Sequence, residues 1–327
     1  MNKKSYKSVF KQEFADLVEL KRASGYLYNH NEEAFLQLDA FFIENNLSDK
    51  VITKELSDLW SKKRDYEKVS NQLKRISCLR VFCKYLNDIG IKAYIYPKVK
   101  MSKVKKYEPH IYSDEEIKKF FFYVDQSNSV QDICPFRKDV MPIFFRVLYT
   151  SGLRVSELRL IKIKNINLQD GVLTILNAKN KKERLVPIHP KLLEKCRDLK
   201  AKIHTNSNDE EYFFMIRPGV AMSLVNVYHN FRRYLEKAGI PHTGEGPRVH
   251  DFRHTYCVNI LRKWVNEGKD LMAYLPYLRT MLGHETFHET AYYVKLTSER
   301  FPYIKDRMKQ SFPDLIREVD ADDGEFY

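Results

Sequence analysis

Cysteine is scarce in this sequence and never sits where a cysteine-built scaffold needs it. The five residues Cys78, Cys83, Cys134, Cys196 and Cys257 are odd in number, well spread and never spaced C-x-x-C. That pattern argues against a disulfide framework or a zinc ribbon and fits a reducing cytoplasm. No run of about 18 apolar residues occurs. The opening MNKKSYKSVFKQEFADL has basic residues but no continuous apolar stretch, so neither secretion nor membrane insertion is expected. Also missing are a Gly-rich phosphate loop, a catalytic carboxylate pair, an internal repeat and a low-complexity tract.

At 327 residues the chain is too long for one ordinary core and suits two domains. Hydrophobic residues at 43%, with 13% aromatics, are ample for burying both. The 56 Lys and Arg against 43 Asp and Glu give a formal charge of +13, which favours a polyanionic partner. A basic enzyme with no nucleic-acid role has the same balance, so charge alone decides little.

Apolar residues spaced three and four apart in FADLVEL, AFLQLDAFFI and ISCLRVFCKYL predict a helical domain over residues 1–97. Asn87, Asp88 and Gly90 end its last helix. Residues 98–109 read as a linker, with Lys98, Lys100, Lys103, Lys105 and Lys106 between Pro97 and Pro109. Such a strap suits crossing a phosphate backbone, and it equally fits a plain solvated connection.

The second domain, residues 110–327, opens with a capping box at Ser113, in S-D-E-E. The helix in VMPIFFRVLYTSG ends at Gly152, and another starts in LRVSELRLI. The β-branched alternation of GVLTILNAKNKKERLVPIHP predicts a hairpin or small sheet. Helices then resume, interrupted by PHTGEGPR. The fold class is mainly α with a small β-sheet: a helical domain followed by an α+β domain.

Several residues of this second domain can carry chemistry. Arg154 and Glu157 share a helix face, as a surface ion pair or as an arginine fork aimed at a phosphate with Glu157 holding it. Lys179 leads the turn K-N-K-K, where a lysine can donate a proton to a leaving oxygen; Lys181 and Lys182 stand in the same turn, and a solvated basic turn reads the same way. In HDFRHT, His250 and Arg253 are three apart and face one spot if a helix begins there, with His254 packing or buttressing. In LGHETFHETAYYVKLT, His284 precedes Tyr293 by nine residues, with Tyr292 adjacent. Tyrosine is a poor nucleophile near neutral pH and needs a base and a charge-neutralised phosphate. Arg154, Lys179, His250, Arg253 and His284 are the cationic cage that a pentacoordinate phosphorane attacked by a phenol requires.

T-S-G-L-R-x-S-E-L, K-x-x-K-E-R-x-V-P, H-x-x-R-H-T, L-G-H and a tyrosine nine residues after that histidine, in this order from about Ile111 to about Thr297, resemble the tyrosine recombinase (phage integrase) family. The resemblance puts the family's catalytic arginines on Arg154 and Arg253, its hairpin lysine on Lys179, its histidines on His250 and His284, its nucleophile on Tyr293 and its acidic supporting position on Glu157. Ala178 and Asn180 flank Lys179 where that family often has Gly, so Lys181 shares the candidacy. The helical domain has the length and Lys-rich exit of the family's core-binding domain, although its sequence match is loose. No smaller domain precedes it in this sequence, which favours simple core sites over long attachment sites.

By this resemblance Tyr293 forms a 3′-phosphotyrosyl bond, freeing a 5′-hydroxyl, and one phosphodiester is exchanged for another with no metal, ATP or other cofactor. The implied partner is double-stranded DNA with inverted-repeat core sites, bound by a dimer per site and a tetramer per synapse, with accessory recombinases or directionality factors. The implied role is integration, excision or transposition of a mobile element; a chromosomal dimer resolvase is the runner-up. The acidic tail from about Ser311, around Phe312, Leu315 and Ile316, fits docking on a neighbouring protomer as well as a frayed end. Competing readings are a topoisomerase of the same chemistry, a non-catalytic DNA-binding protein, and a zinc peptidase suggested by HETFH at His284 to His288. The last lacks a following G-x-x-H and offers only Glu299 and Glu318 downstream.

Overall fold

The structure, a computed structural model, describes residues 5–26, 28–99, 107–176, 183–243 and 246–301. The chain divides into two compact units between Lys106 and Tyr107.

The first unit has helices α1 (Lys11–Ala23), α2 (Asn29–Glu44), α3 (Lys54–Ser61) and α4 (Val69–Asp88). Phe14, Leu17 and Val18 on α1, Phe35, Leu38 and Phe42 on α2, and Leu79, Phe82 and Cys83 on α4 are buried together, as the three-and-four spacing requires. The rings of Phe14 and Phe82 stack with centroids 3.9 Å apart at the centre of this core. At the exit, the Asn87 side chain clasps Ala93, accepting its N–H at 2.9 Å and donating to its carbonyl at 2.7 Å. Lys98, beyond it, is exposed, and Lys100, Lys103, Lys105 and Lys106 lie outside the described residues.

The second unit begins its helices with α5 (Asp114–Asp125), whose capping box joins Ser113 and Glu116. It continues with α6 (Arg137–Ser151) and the short α7 (Val155–Arg159). Strands β1 (Ile166–Asn167), β2 (Val172–Ile175) and β3 (Arg184–Pro187) form an antiparallel sheet in the order β1-β2-β3. Leu173 pairs with Val186 and Ile175 with Arg184, so β2 and β3 flank residues 176–183 as a hairpin does. Helices α8 (Pro190–Ile203), α9 (Leu224–Lys237), α10 (Asp251–Asn266), α11 (Leu271–Leu282) and α12 (Phe287–Arg300) complete the unit.

Helix α10 belongs to two cores at once. Phe252 packs among Phe120, Phe145 and Phe231 of one, whereas Tyr256, Cys257, Val258 and Leu261 join Leu275, Leu278, Leu282, Tyr293 and Val294 of the other. Residues at the start of α10 therefore stand at a seam, fixed from both sides. All five cysteines are buried free thiols, and no helix among the described residues is long and apolar enough to cross a membrane.

Candidate active site

The seam is assembled around two glycines that end helices. Gly152 closes α6 with φ +64°, and Gly283 closes α11 with φ +66°, a left-handed conformation in which a side chain is strained. Space excludes one as well: a Cβ on Gly152 would lie 2.5 Å from Cδ1 of Tyr256, and one on Gly283 would lie 2.8 Å from Nη1 of Arg184.

Arg154 stands immediately before α7. Its backbone N–H donates to Oε2 of Glu157 at 2.9 Å and its Nη1 donates to Oε1 at 3.1 Å. The same carboxylate accepts Nη2 and Nη1 of Arg184 at 2.7 and 3.2 Å. The Arg184 side chain is only 4% exposed, and its Nε donates to the Met281 carbonyl at 2.8 Å. Burial alone would raise the Glu157 pKa, yet hydrogen bonding and charge from Arg184, with help from Arg154, hold it below the ordinary carboxylate range. Arg154, its side chain 24% exposed, is the more accessible guanidinium.

Arg253 is buried, and three of its contacts lock the seam. Nη1 donates to the Gly152 carbonyl at 2.7 Å, and Nη2 donates to the Leu282 carbonyl at 2.9 Å and meets Nε2 of His284 at 2.8 Å. An arginine has no acceptor, so Nε2 of His284 accepts and its Nδ1 carries the proton, donated to Oγ1 of Thr290 at 2.9 Å. Burial, reinforced by Arg253, Arg154 and Arg184, pushes the His284 pKa down to about 3. His250 is the N-cap residue of α10 and keeps solvent-exposed surface; partial desolvation by the protein around it, then Arg253 and Arg154, lower its pKa to about 4. Both imidazoles are neutral near pH 7.

Tyr293 lies on α12, 4% exposed. Its ring is parallel to that of His284, with centroids 5.8 Å apart, and 5.5 Å from that of His254. Burial and neighbouring Cys257 raise its pKa, more than Arg253 lowers it. The adjacent Tyr292 is 39% exposed. His254 packs edge-on against His250, with ring centroids 4.9 Å apart, as its buttressing position implies.

Arg154, Glu157, His250, Arg253, His284 and Tyr293 are thus brought together from α7, α10, the α11–α12 turn and α12. Lys179 and Lys181 lie outside the described residues, as does the tail from Ser311. Nothing in the sequence alone distinguishes Arg184 or Thr290 as part of the site, although Arg184 stands within K-x-x-K-E-R-x-V-P. HETFH does not present two histidines on one helix face, because His284 precedes the α12 cap Thr286 while His288 is in the first turn. Nε2 of His284 faces the Arg253 guanidinium at 2.8 Å, a cation that would repel a dication bound there. Arg154, Arg184 and Arg253 outnumber the one carboxylate, Glu157, which pairs with the first two, and the surplus of positive charge suits an oxyanion, with a phenol alongside.

The model of the phage integrase family matches residues 115–300, more than half of the chain. A Sinorhizobium fredii protein named as an integrase/recombinase candidate, y4rB, is 26% identical over 313 residues, which is 94% of this chain and 99% of that protein. Tyrosine recombinase XerA of Thermococcus kodakarensis is 29% identical over 215 residues, 65% of this chain and 67% of that protein. The XerH recombinase, solved in a post-cleavage complex with a palindromic difH substrate, shares the fold with a TM-score of 0.60 at 19% identity, over 90% of this chain and 83% of that one. The chain belongs to the phage integrase family, whose members are the enzymes called tyrosine recombinases.

Proposed function

We propose that this recombinase cleaves and rejoins duplex DNA at a specific site through a 3′-phosphotyrosyl bond to Tyr293. The observation that carries the reading is the Arg253 guanidinium, held at once by the carbonyls of Gly152 and Leu282 and by His284, whose ring lies parallel to that of Tyr293. A scissile phosphate at this seam has Arg154, Arg253 and His284 for its non-bridging oxygens, with the Tyr293 phenol packed behind them. Lys179 supplies the proton to the departing 5′-oxygen, and His250 assists proton transfer. The negative charge of the phosphate reverses the local field and raises both imidazoles toward protonation. Free of DNA, the phenol is neutral and covered, so attack requires that it be uncovered once the phosphate is seated.

The reaction exchanges one phosphodiester for another, with Glu157 keeping Arg154 in place. Residues 1–97 act as the core-binding domain, and Lys98, Lys100, Lys103, Lys105 and Lys106 cross the phosphate backbone. A dimer occupies each inverted-repeat site and four protomers form the synapse, in the cytoplasm. Integration, excision or transposition of a mobile element is the favoured role, supported by the near full-length match to the integrase/recombinase candidate y4rB. Dimer resolution is the second role, favoured by the likeness to XerA.

The test is incubation of the chain in EDTA with nicked duplexes carrying randomised sequence and the gene's own flanking DNA, followed by recovery of covalent adducts. Adducts mapped to Tyr293, lost in Tyr293→Phe and kept in Tyr292→Phe, are expected. DNA binding without any adduct would instead point to a non-catalytic binding protein.

A further inference from the structure

Tyr107, the first residue after Lys106, is fastened to the start of α10 in three ways. Cζ of Arg248 lies 3.5 Å from the centroid of its ring, and its hydroxyl donates to Oδ2 of Asp251. Gly246 passes so close that a Cβ there would stand 2.9 Å from Cε2 of the same ring. Asp251 is fully buried. Its Oδ2 also accepts the backbone N–H of Arg248 at 2.7 Å, while its own N–H donates to the Arg248 carbonyl at 2.9 Å. Residues 248–251 therefore form a ring closed at both ends, and His250 is inside it. The buried carboxylate that closes this ring has two donors on Oδ2, one from the ring itself and one from Tyr107.

We infer that Tyr107 is a positioning residue for His250, setting the direction of that imidazole through Asp251. The phenol touches none of the reacting groups, and its effect passes through the turn. The inference rests on the proposed role of His250 in DNA cleavage. It goes further in making the segment that leaves the Lys-rich stretch part of the site's alignment. Removing the hydroxyl leaves a buried acceptor short of a donor, which the turn can relieve only by shifting; the Arg248 stack on the ring survives in phenylalanine.

The experiment compares the full chain with Tyr107→Phe, His250→Gln and the double variant, on a nicked site in saturating DNA. Tyr107→Phe is expected to slow adduct formation about tenfold with the Kd for DNA within about twofold of wild type. The double variant should be no slower than His250→Gln, because two residues acting through one group are not additive. Histidine-ring NMR without DNA should show the His250 signal displaced in Tyr107→Phe and that of His284 unmoved. Additive rate losses, or an undisplaced His250 signal, would overturn the inference. If the wild type forms no adduct on any DNA, the proposed chemistry fails, and the NMR comparison still decides whether Tyr107 orients His250.

Discussion

Arg184 grips Glu157 through two near-parallel hydrogen bonds of 2.7 and 3.2 Å across 27 residues of chain. Both side chains are buried, and the carboxylate is what fixes Arg154. Arg184→Ala leaves a buried carboxylate with only the partially exposed Arg154 as a charged partner, at an expected cost of about 3–5 kcal/mol. Arg184→Lys keeps the charge but loses the fork, so its loss should be smaller. Urea denaturation of the three proteins measures both; an unchanged midpoint in Arg184→Ala would mean that the pair does not organise the site.

Gly152→Ala should be the most damaging of the glycine substitutions. It combines left-handed strain with a Cβ pressed into Tyr256, and an expected loss of about 2 kcal/mol or more follows. Gly239 has a comparable φ of +67° but nothing within 4 Å of an added Cβ, so Gly239→Ala should lose only about 1 kcal/mol. Thermal unfolding separates strain from crowding, and equal losses would remove the crowding argument.

His250 and His284 have folded pKa values pushed down to about 4 and about 3, below the ordinary value of about 6.5. The unfolded chain therefore binds more protons than the folded one between these limits. Stability is complete above about pH 6.5 and falls as the pH drops toward 3, with His284 contributing more than the solvent-exposed His250. The fall should be flatter in a His250→Gln, His284→Gln double variant, measured as the Tm difference between pH 7 and pH 5. An equal fall in both proteins would assign the acid sensitivity to other groups.

Thr290 is fully buried and accepts the Nδ1 proton of His284. Thr290→Val preserves shape and removes the acceptor, leaving the Nδ1 proton without a partner and the ring held from the Arg253 side alone. The rate of adduct formation should fall about tenfold with DNA affinity unchanged, and Thr290→Ser should restore most of it. A fully active valine variant would show that Arg253 alone is enough to hold the ring.

What could be read from the sequence was local. The Ser113 capping box, the helix end at Gly152 and the β-branched alternation before and after K-N-K-K each depend on a few neighbouring residues, and each appears in the fold where the spacing put it. The meeting of Arg154, His250, Arg253, His284 and Tyr293 was legible through the ordered motifs, since none of these residues is informative alone. The partners that hold them were not. Arg184 reaches Met281 across 97 residues, and Tyr107 reaches Asp251 across 144. Pairings over such distances leave no periodicity behind. The burial of Tyr293 was equally hidden, because a reactive tyrosine and a core tyrosine carry the same helix pattern.

The end of α11 gives successive carbonyls to two arginines, that of Met281 to Arg184 and that of Leu282 to Arg253. A helix C-terminus carries about half a unit of negative charge, so the backbone acts here as a resident counter-ion. Guanidiniums that would repel one another are gathered before any phosphate arrives, and the reorganisation energy of forming the cluster is spent during folding rather than during the reaction. When a DNA strand departs, the cations have no reason to scatter, and the next strand meets a site that is already assembled.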